Sequence, residues 1–239
     1  MLSRSVIASL AQKYQTTEFT VWREYSQHLF LMYLYREPSA ELLYFKGGTA
    51  LRMLYQSPRF SEDLDFSSPL SNSNQIEESI IAAMTHIERE GIAIELQEAK
   101  NTTGGYLAIV QFNLSEETVA IQLEVSLRSV DVRGTFVTVA SDVVPPYSIF
   151  QLEENMLIAG KFQATVTRKK PRDFYDIYFI VRNRLLPLDM RARIPEVLKA
   201  LHTVPDILFD RELKEFLPRS HWPLLKDFRV TLERELSRV

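Results

Sequence analysis

Phe45-Lys46-Gly47-Gly48-Thr49-Ala50-Leu51-Arg52-Met53-Leu54-Tyr55, followed shortly by Arg59-Phe60-Ser61-Glu62-Asp63-Leu64-Asp65-Phe66, decides how this chain is read. The apolar run 42–45 reads as a short buried strand, and the glycine pair breaks it. A helix then covers 50–55, with Leu51, Leu54 and Tyr55 turned inward and either Thr49 or Gly48 as its cap. Residues 63–66 read as a second strand. Alternation sends Leu64 and Phe66 to the core and Asp63 and Asp65 to a cleft, about 6–7 Å apart along the chain. Carboxylates so spaced can hold one or two hard cations against a triphosphate. Gly47 and Gly48 let backbone approach a phosphate, with amides at the helix start as donors, and Lys46 supplies a cation for a phosphate or a salt bridge. Neither a Walker loop nor a dinucleotide fingerprint is present. The stretch points to a nucleotide-handling enzyme.

Outward from this stretch, apolar periodicity predicts helices over 2–14, 19–35 and 75–90. Strands are predicted over 92–97, 106–114, 118–127 and 135–139, the middle two forming a hairpin around Ser115-Glu116-Glu117. The arm 118–127 alternates most cleanly. Val119, Ile121, Leu123, Val125 and Leu127 share one face, and Ala120, Gln122, Glu124, Ser126 and Arg128 the other. Pro145-Pro146 is the expected boundary between a domain 1–145 and a helical domain 146–239. Strand signals fade beyond it. Helices are expected over 148–164, 172–182, 195–202, 206–217 and 222–236, joined by short loops as in a bundle.

Further candidates for chemistry lie in both parts. If the strand carrying Glu124 neighbours Asp63 and Asp65, three carboxylates converge, and such a cluster repels itself unless cations neutralise it. Magnesium suits an all-oxygen site completed by phosphates. Glu124 or Asp65 could then act as base or only position the ion, and Glu124 could equally pair with Arg128. Lys161 lies on a helix whose apolar positions include Met156, Leu157 and Phe162, from which it could clamp triphosphate charge. Pro171 suits a helix start, and Asp173 in its first turn favours the helix dipole. Asp176 could fix Lys161 or Arg172 in place.

Charge and composition narrow the class. The 239 residues carry a net charge of -3, yet the span 161–193 holds nine Lys or Arg against three Asp, a net +6. Arg168-Lys169-Lys170-Pro171-Arg172 lies within it, a basic wall suited to phosphate or RNA, although 168–170 alone reads equally well as a solvated loop. Cysteine is absent, which excludes disulfides, thiolate catalysis and thiolate metal sites. The four histidines show no metal-like pairing. The apolar run at 1–11 ends at Gln12-Lys13-Tyr14 without a cleavage-like site, and no segment has the apolar length of a membrane span. A soluble cytoplasmic protein is expected.

Lys46-Gly47-Gly48-Thr49-Ala50-Leu51 with Arg59-x-Ser61-x-Asp63-Leu64-Asp65-Phe66 resembles the nucleotidyltransferase toxins of the abortive-infection AbiEii type, a type IV toxin–antitoxin family within the DNA polymerase β-like superfamily. Glu154, Lys161, Arg168 and Pro171-Arg172-Asp173-x-x-Asp176 resemble that family's second block, so the likeness spans roughly 42–180. The resemblance implies an α/β (α+β) fold: a polymerase-β-like nucleotidyltransferase core with a mixed sheet, and a C-terminal helical bundle closing the active-site cleft. It implies Mg2+ and an NTP donor. It further implies transfer of a nucleotide to an RNA acceptor, with tRNA expected, and a cognate antitoxin that need not touch the toxin. Under it Lys46, Gly47, Gly48, Thr49, Ser61 and Lys161 bind nucleotide. Asp63 and Asp65 are metal ligands, with Glu124 as third carboxylate by strand position. Asp63, Asp65, Lys161 and Asp176 are catalytic, and Arg59, Arg168, Lys169, Lys170 and Arg172 contact RNA or phosphate. Nucleotidyl transfer to a protein or small molecule, and a catalytically silent nucleotide- or RNA-binding protein, are the alternatives.

Overall fold

The computed structural model describes residues 1–114, 117–127 and 131–239. The expected turn residues Ser115 and Glu116, and the expected Glu124–Arg128 pair, lie outside them. The chain divides into two compact units, Met1–Gln56 with Phe60–Glu153, and Ser57–Arg59 with Glu154–Val239.

The first unit is built on a mixed seven-stranded sheet. Two helices, α1 (Arg4–Tyr14) and α2 (Glu18–Leu34), lead through a 3₁₀ turn at Pro38–Leu42 into β1 (Tyr44–Lys46), α3 (Gly47–Tyr55) and β2 (Leu64–Ser67). Then come α4 (Asn74–Arg89), β3 (Ala93–Thr102), β4 (Gly105–Asn113), β5 (Thr118–Ser126), β6 (Gly134–Val139) and β7 (Tyr147–Leu152). The strand order is β3-β4-β5-β2-β1-β7-β6. The β1–β2 pair is antiparallel, whereas β2–β5 and β1–β7 are parallel.

Sequence accounts for these elements locally. Ser3 and Thr17 cap α1 and α2 by accepting from Val6 and Thr20 amides. Val119, Ile121, Leu123 and Val125 of β5 are buried, and α2 packs along that strand and β7 while α4 packs on β3. The core includes Trp22, Phe30, Phe45, Phe66 and Phe112, all nearly inaccessible to solvent.

The second unit is helical: α5 (Glu154–Arg168), α6 (Pro171–Arg182), α7 (Ile194–Leu201), α8 (Asp206–Phe216), α9 (Trp222–Leu225) and α10 (Phe228–Leu236). Its core is aromatic. Phe209 meets Phe174 and Phe228 at centroid distances of 5.8 and 5.1 Å, and Tyr175 stacks on Phe228 at 6.1 Å.

Several expected elements are corrected. The helix expected over 148–164 is β7 followed by α5. Residues 147–152 pair with β1 on one side and β6 on the other, and pairing overrides a stripe that continues into α5. The strand expected over 92–97 runs on to Thr102. Its exposed polar half is carried by antiparallel pairing with β4 across a bulge at Leu96/Glu98, not by any apolar alternation. The helix expected over 222–236 is interrupted between α9 and α10, where Asp227 leaves helical geometry. Neither Thr49 nor Gly48 caps α3. The helix starts at Gly47 with Lys46 in the cap position, and the Thr49 hydroxyl donates to the Asp63 carbonyl instead.

Candidate active site

Three neighbouring strands bring one row of charged residues together. Lys46 on β1 is the register partner of Asp65 on β2, and Asp65 is the register partner of Glu124 on β5. Register partners share a sheet face and lie about 4.7–4.9 Å apart across neighbouring strands. The row lines a cavity of about 410 Å³ whose wall also includes Thr102, Gly104, Gly105 and Ser126.

Gly47 explains why Asp65 sits where it does. Its φ is +87°, a conformation that suits glycine, and a Cβ built there would lie 2.1 Å from Asp65 Oδ2. The carboxylate is therefore packed against the bare backbone at the start of α3. Lys46 Nζ donates to Ser67 Oγ at 2.8 Å, one step along the same face of β2. Glu124 is exposed, and its Oε1 accepts from the Gln122 amide at 2.6 Å.

Asp63 lies just before β2 and is half-buried. The loop that carries it is held by buried groups. Thr49 Oγ1 donates to the Asp63 carbonyl at 2.5 Å, and Gln27 Nε2 donates to the carbonyls of Ser61 and Glu62 at 3.1 and 2.8 Å. Gly48 and Thr49 are buried within α3. Among the described residues no three carboxylates or imidazoles are gathered closely enough to hold an ion.

In the second unit, Asp176 is 1% exposed and serves two cations. Arg59 Nε and Nη2 donate to its Oδ1 and Oδ2 at 2.8 and 3.0 Å, and Lys161 Nζ donates to Oδ2 at 2.7 Å. Burial alone would raise the Asp176 carboxyl. Arg59 and Lys161 more than offset it and hold that carboxyl below the usual carboxylate range. Burial opposes the Arg59 charge too, and Asp176 outweighs that and strengthens its basicity. One carboxylate between two buried cations leaves an excess positive charge. Arg59, expected to contact RNA or phosphate, is 3% exposed and pairs with Asp176.

Asp173 is buried and accepts from Arg168 Nη2 at 2.6 Å. Lys169 and Lys170 are exposed, with Lys169 at φ +54° in the link between α5 and α6. Arg172 lies 3.9 Å from Glu212 and over the Phe216 ring.

Residue patterns left some participants unassigned. Gln27 carries no motif, and Arg23 and Glu24 one turn before it on α2 give no apolar stripe that would signal a buried amide. Gly104 and Gly105 read simply as a turn. Yet Leu127 N donates to the Gly104 carbonyl at 3.0 Å, and a Cβ on Gly105 would meet the Val125 carbonyl oxygen at 2.3 Å, so the turn lies close against β5.

The mixed sheet, the glycine-opened helix and the carboxylate row define the nucleotidyltransferase class of fold. Two Helicobacter pylori structures share it. One, described as a candidate nucleotidyltransferase, superposes with a TM-score of 0.63 at 20% identity, covering 93% of this chain and 95% of its own. The other, JHP933, gives 0.66 at 19% identity, covering 93% and 92%. No curated protein matches the chain. The model of the nucleotidyl transferase AbiEii toxin family, a type IV toxin–antitoxin system, matches residues 29–236, and the chain belongs to that family.

Proposed function

We propose that this nucleotidyltransferase moves a nucleoside monophosphate from an NTP to an RNA hydroxyl, with tRNA as the acceptor and Mg2+ as the ion, and that this transfer is the toxic activity. The observation that supports it best is the cross-strand row Lys46–Asp65–Glu124 at the start of α3. Asp65 and Glu124 offer the all-oxygen donor set that a hard cation takes, and Asp63 lies two residues before Asp65 on the same chain segment. When bound, Mg2+ would neutralise phosphate charge and acidify the attacking hydroxyl.

The chain's own groups divide the remaining work. The acceptor hydroxyl attacks the α-phosphorus, the bond from that phosphorus to the β-bridging oxygen breaks, and pyrophosphate leaves. Glu124, exposed at the cavity, takes the hydroxyl proton. Asp65, wedged against Gly47, stays fixed as a donor oxygen. Lys46 balances negative charge along the row. The excess positive charge of Arg59 and Lys161 around Asp176 is matched to a phosphate, and the exposed Lys169 and Lys170 to an RNA backbone.

Purified protein given each α-labelled NTP with total RNA and Mg2+ should label RNA. Absence of label with all four nucleotides overturns the reading. Label confined to ribonuclease-resistant protein bands would replace the RNA acceptor by a protein.

A further inference from the structure

We propose that β6 is a self-association edge, through which two copies of this chain pair antiparallel about a two-fold axis at Phe136. The two edges of the sheet differ in kind. The β3 edge carries Glu95, Glu98 and Lys100 and a bulge at Leu96/Glu98, devices that block strand addition. The β6 edge, Gly134-Thr135-Phe136-Val137-Thr138-Val139, has no charge, no proline and no register shift. Among the described residues β6 pairs with β7 alone, and Phe136 is 63% exposed.

Register identifies the groups left open. Glu153 N donates to the Arg133 carbonyl at 2.9 Å, and the ladder continues as Thr135↔Gln151, Val137↔Ile149 and Val139↔Tyr147. In an antiparallel pair the bonded positions alternate, so residues 133, 135, 137 and 139 turn their backbone groups to β7. The N–H and C=O groups of Gly134, Phe136 and Thr138 therefore point to the open side. These three positions are symmetric about Phe136. A second copy laid antiparallel sets Phe136 against its own counterpart and Gly134 against Thr138, and every outward group finds a partner.

The choice of a second copy follows from the charge pattern. A two-fold axis places identical residues opposite one another, which a charged edge resists and this one does not. The Phe136 ring meets Phe150 edge-on at 5.3 Å and borders a cavity of about 690 Å³ lined also by Tyr25, Met32, Pro145 and Pro146. Its other side is left for an aromatic cross-strand partner.

The native chain lacks cysteine, which makes the test clean. Paired Cα atoms at a bonded antiparallel position lie about 5.5 Å apart, within disulfide reach. Mild oxidation of F136C should give a covalent dimer, while E98C on the other edge stays monomeric. Light scattering should find twice the monomer mass for the native chain. F136K and F136E should each be monomeric, and their mixture should recover the dimer. A native chain monomeric at every concentration, with F136C cross-linking no faster than E98C, overturns the proposal. So does a dimer that survives F136K, or an edge occupied only by a segment of another protein.

Discussion

Gly47 and Asp65 occupy each other's space so closely that either fixes the other. Replacing Gly47 by Ala places a methyl in the Asp65 carboxylate and holds alanine at φ +87°. The backbone cost is about 1–2 kcal/mol. The larger effect is expected on catalysis, because Asp65 must move. G47A should therefore lose nucleotidyl transfer far more than it loses denaturant stability, comparing labelled-product rates with urea midpoints. D65N keeps the shape and removes the charge; transfer should fall by orders of magnitude at an unchanged midpoint. At Asp176 the weighting reverses. Removing that carboxylate strands Arg59 and Lys161 in a buried place, and D176A should cost about 3–5 kcal/mol by urea denaturation. The row itself was partly legible. An Asp-x-Asp spacing and a patterned strand pointed to Asp65 and Glu124, but only strand order makes them neighbours. The setting of Arg59 was not legible for the same reason: a lone arginine in a motif does not reveal that it is buried on a carboxylate far along the sequence.

Among the elements, α2 carries a titrating group that the sheet holds neutral. His28 is buried on α2, and its Nδ1 bonds the Tyr147 hydroxyl of β7 at 2.8 Å. Burial, with Arg52 nearby, lowers its pKa from 6.5 to about 3. The folded form thus binds fewer protons than the unfolded one between those values. The stability this gives is fully present above pH 6.5 and is lost as pH falls toward 3. Thermal melts should show the midpoint declining across that window, with a shallower decline in H28Q. Strand legibility followed burial. β5, with one buried and one polar face, was readable from alternation, and the C-terminal half of β3 was not, since an edge strand with both faces wet has no pattern to betray it. β7 was hidden by the chain's turn into α5, where apolar spacing does not register the change from pairing to coiling.

For the molecule as a whole, charge is what divides the labour. The chain is net negative, yet residues 161–193 are net positive, and the proposed RNA-binding lysines lie there. K169A/K170A should weaken RNA binding and flatten the slope of its salt dependence by roughly one for each phosphate that is no longer neutralised. Transfer to a short acceptor fragment should change little. The class of fold could be read from the glycine–carboxylate stretch and the helical second half. The partition of the chain could not, because it depends on where Ser57–Arg59 packs, and nothing in those three residues announces it.

That small excursion bears on how the protein can be dissected. Because Ser57–Arg59 is counted with Glu154–Val239, a gene fragment encoding only the latter would lack the guanidinium that shares Asp176. Expressed alone, such a fragment carries a built-in defect, and supplying a short peptide bearing that arginine is the complementation that should mend it.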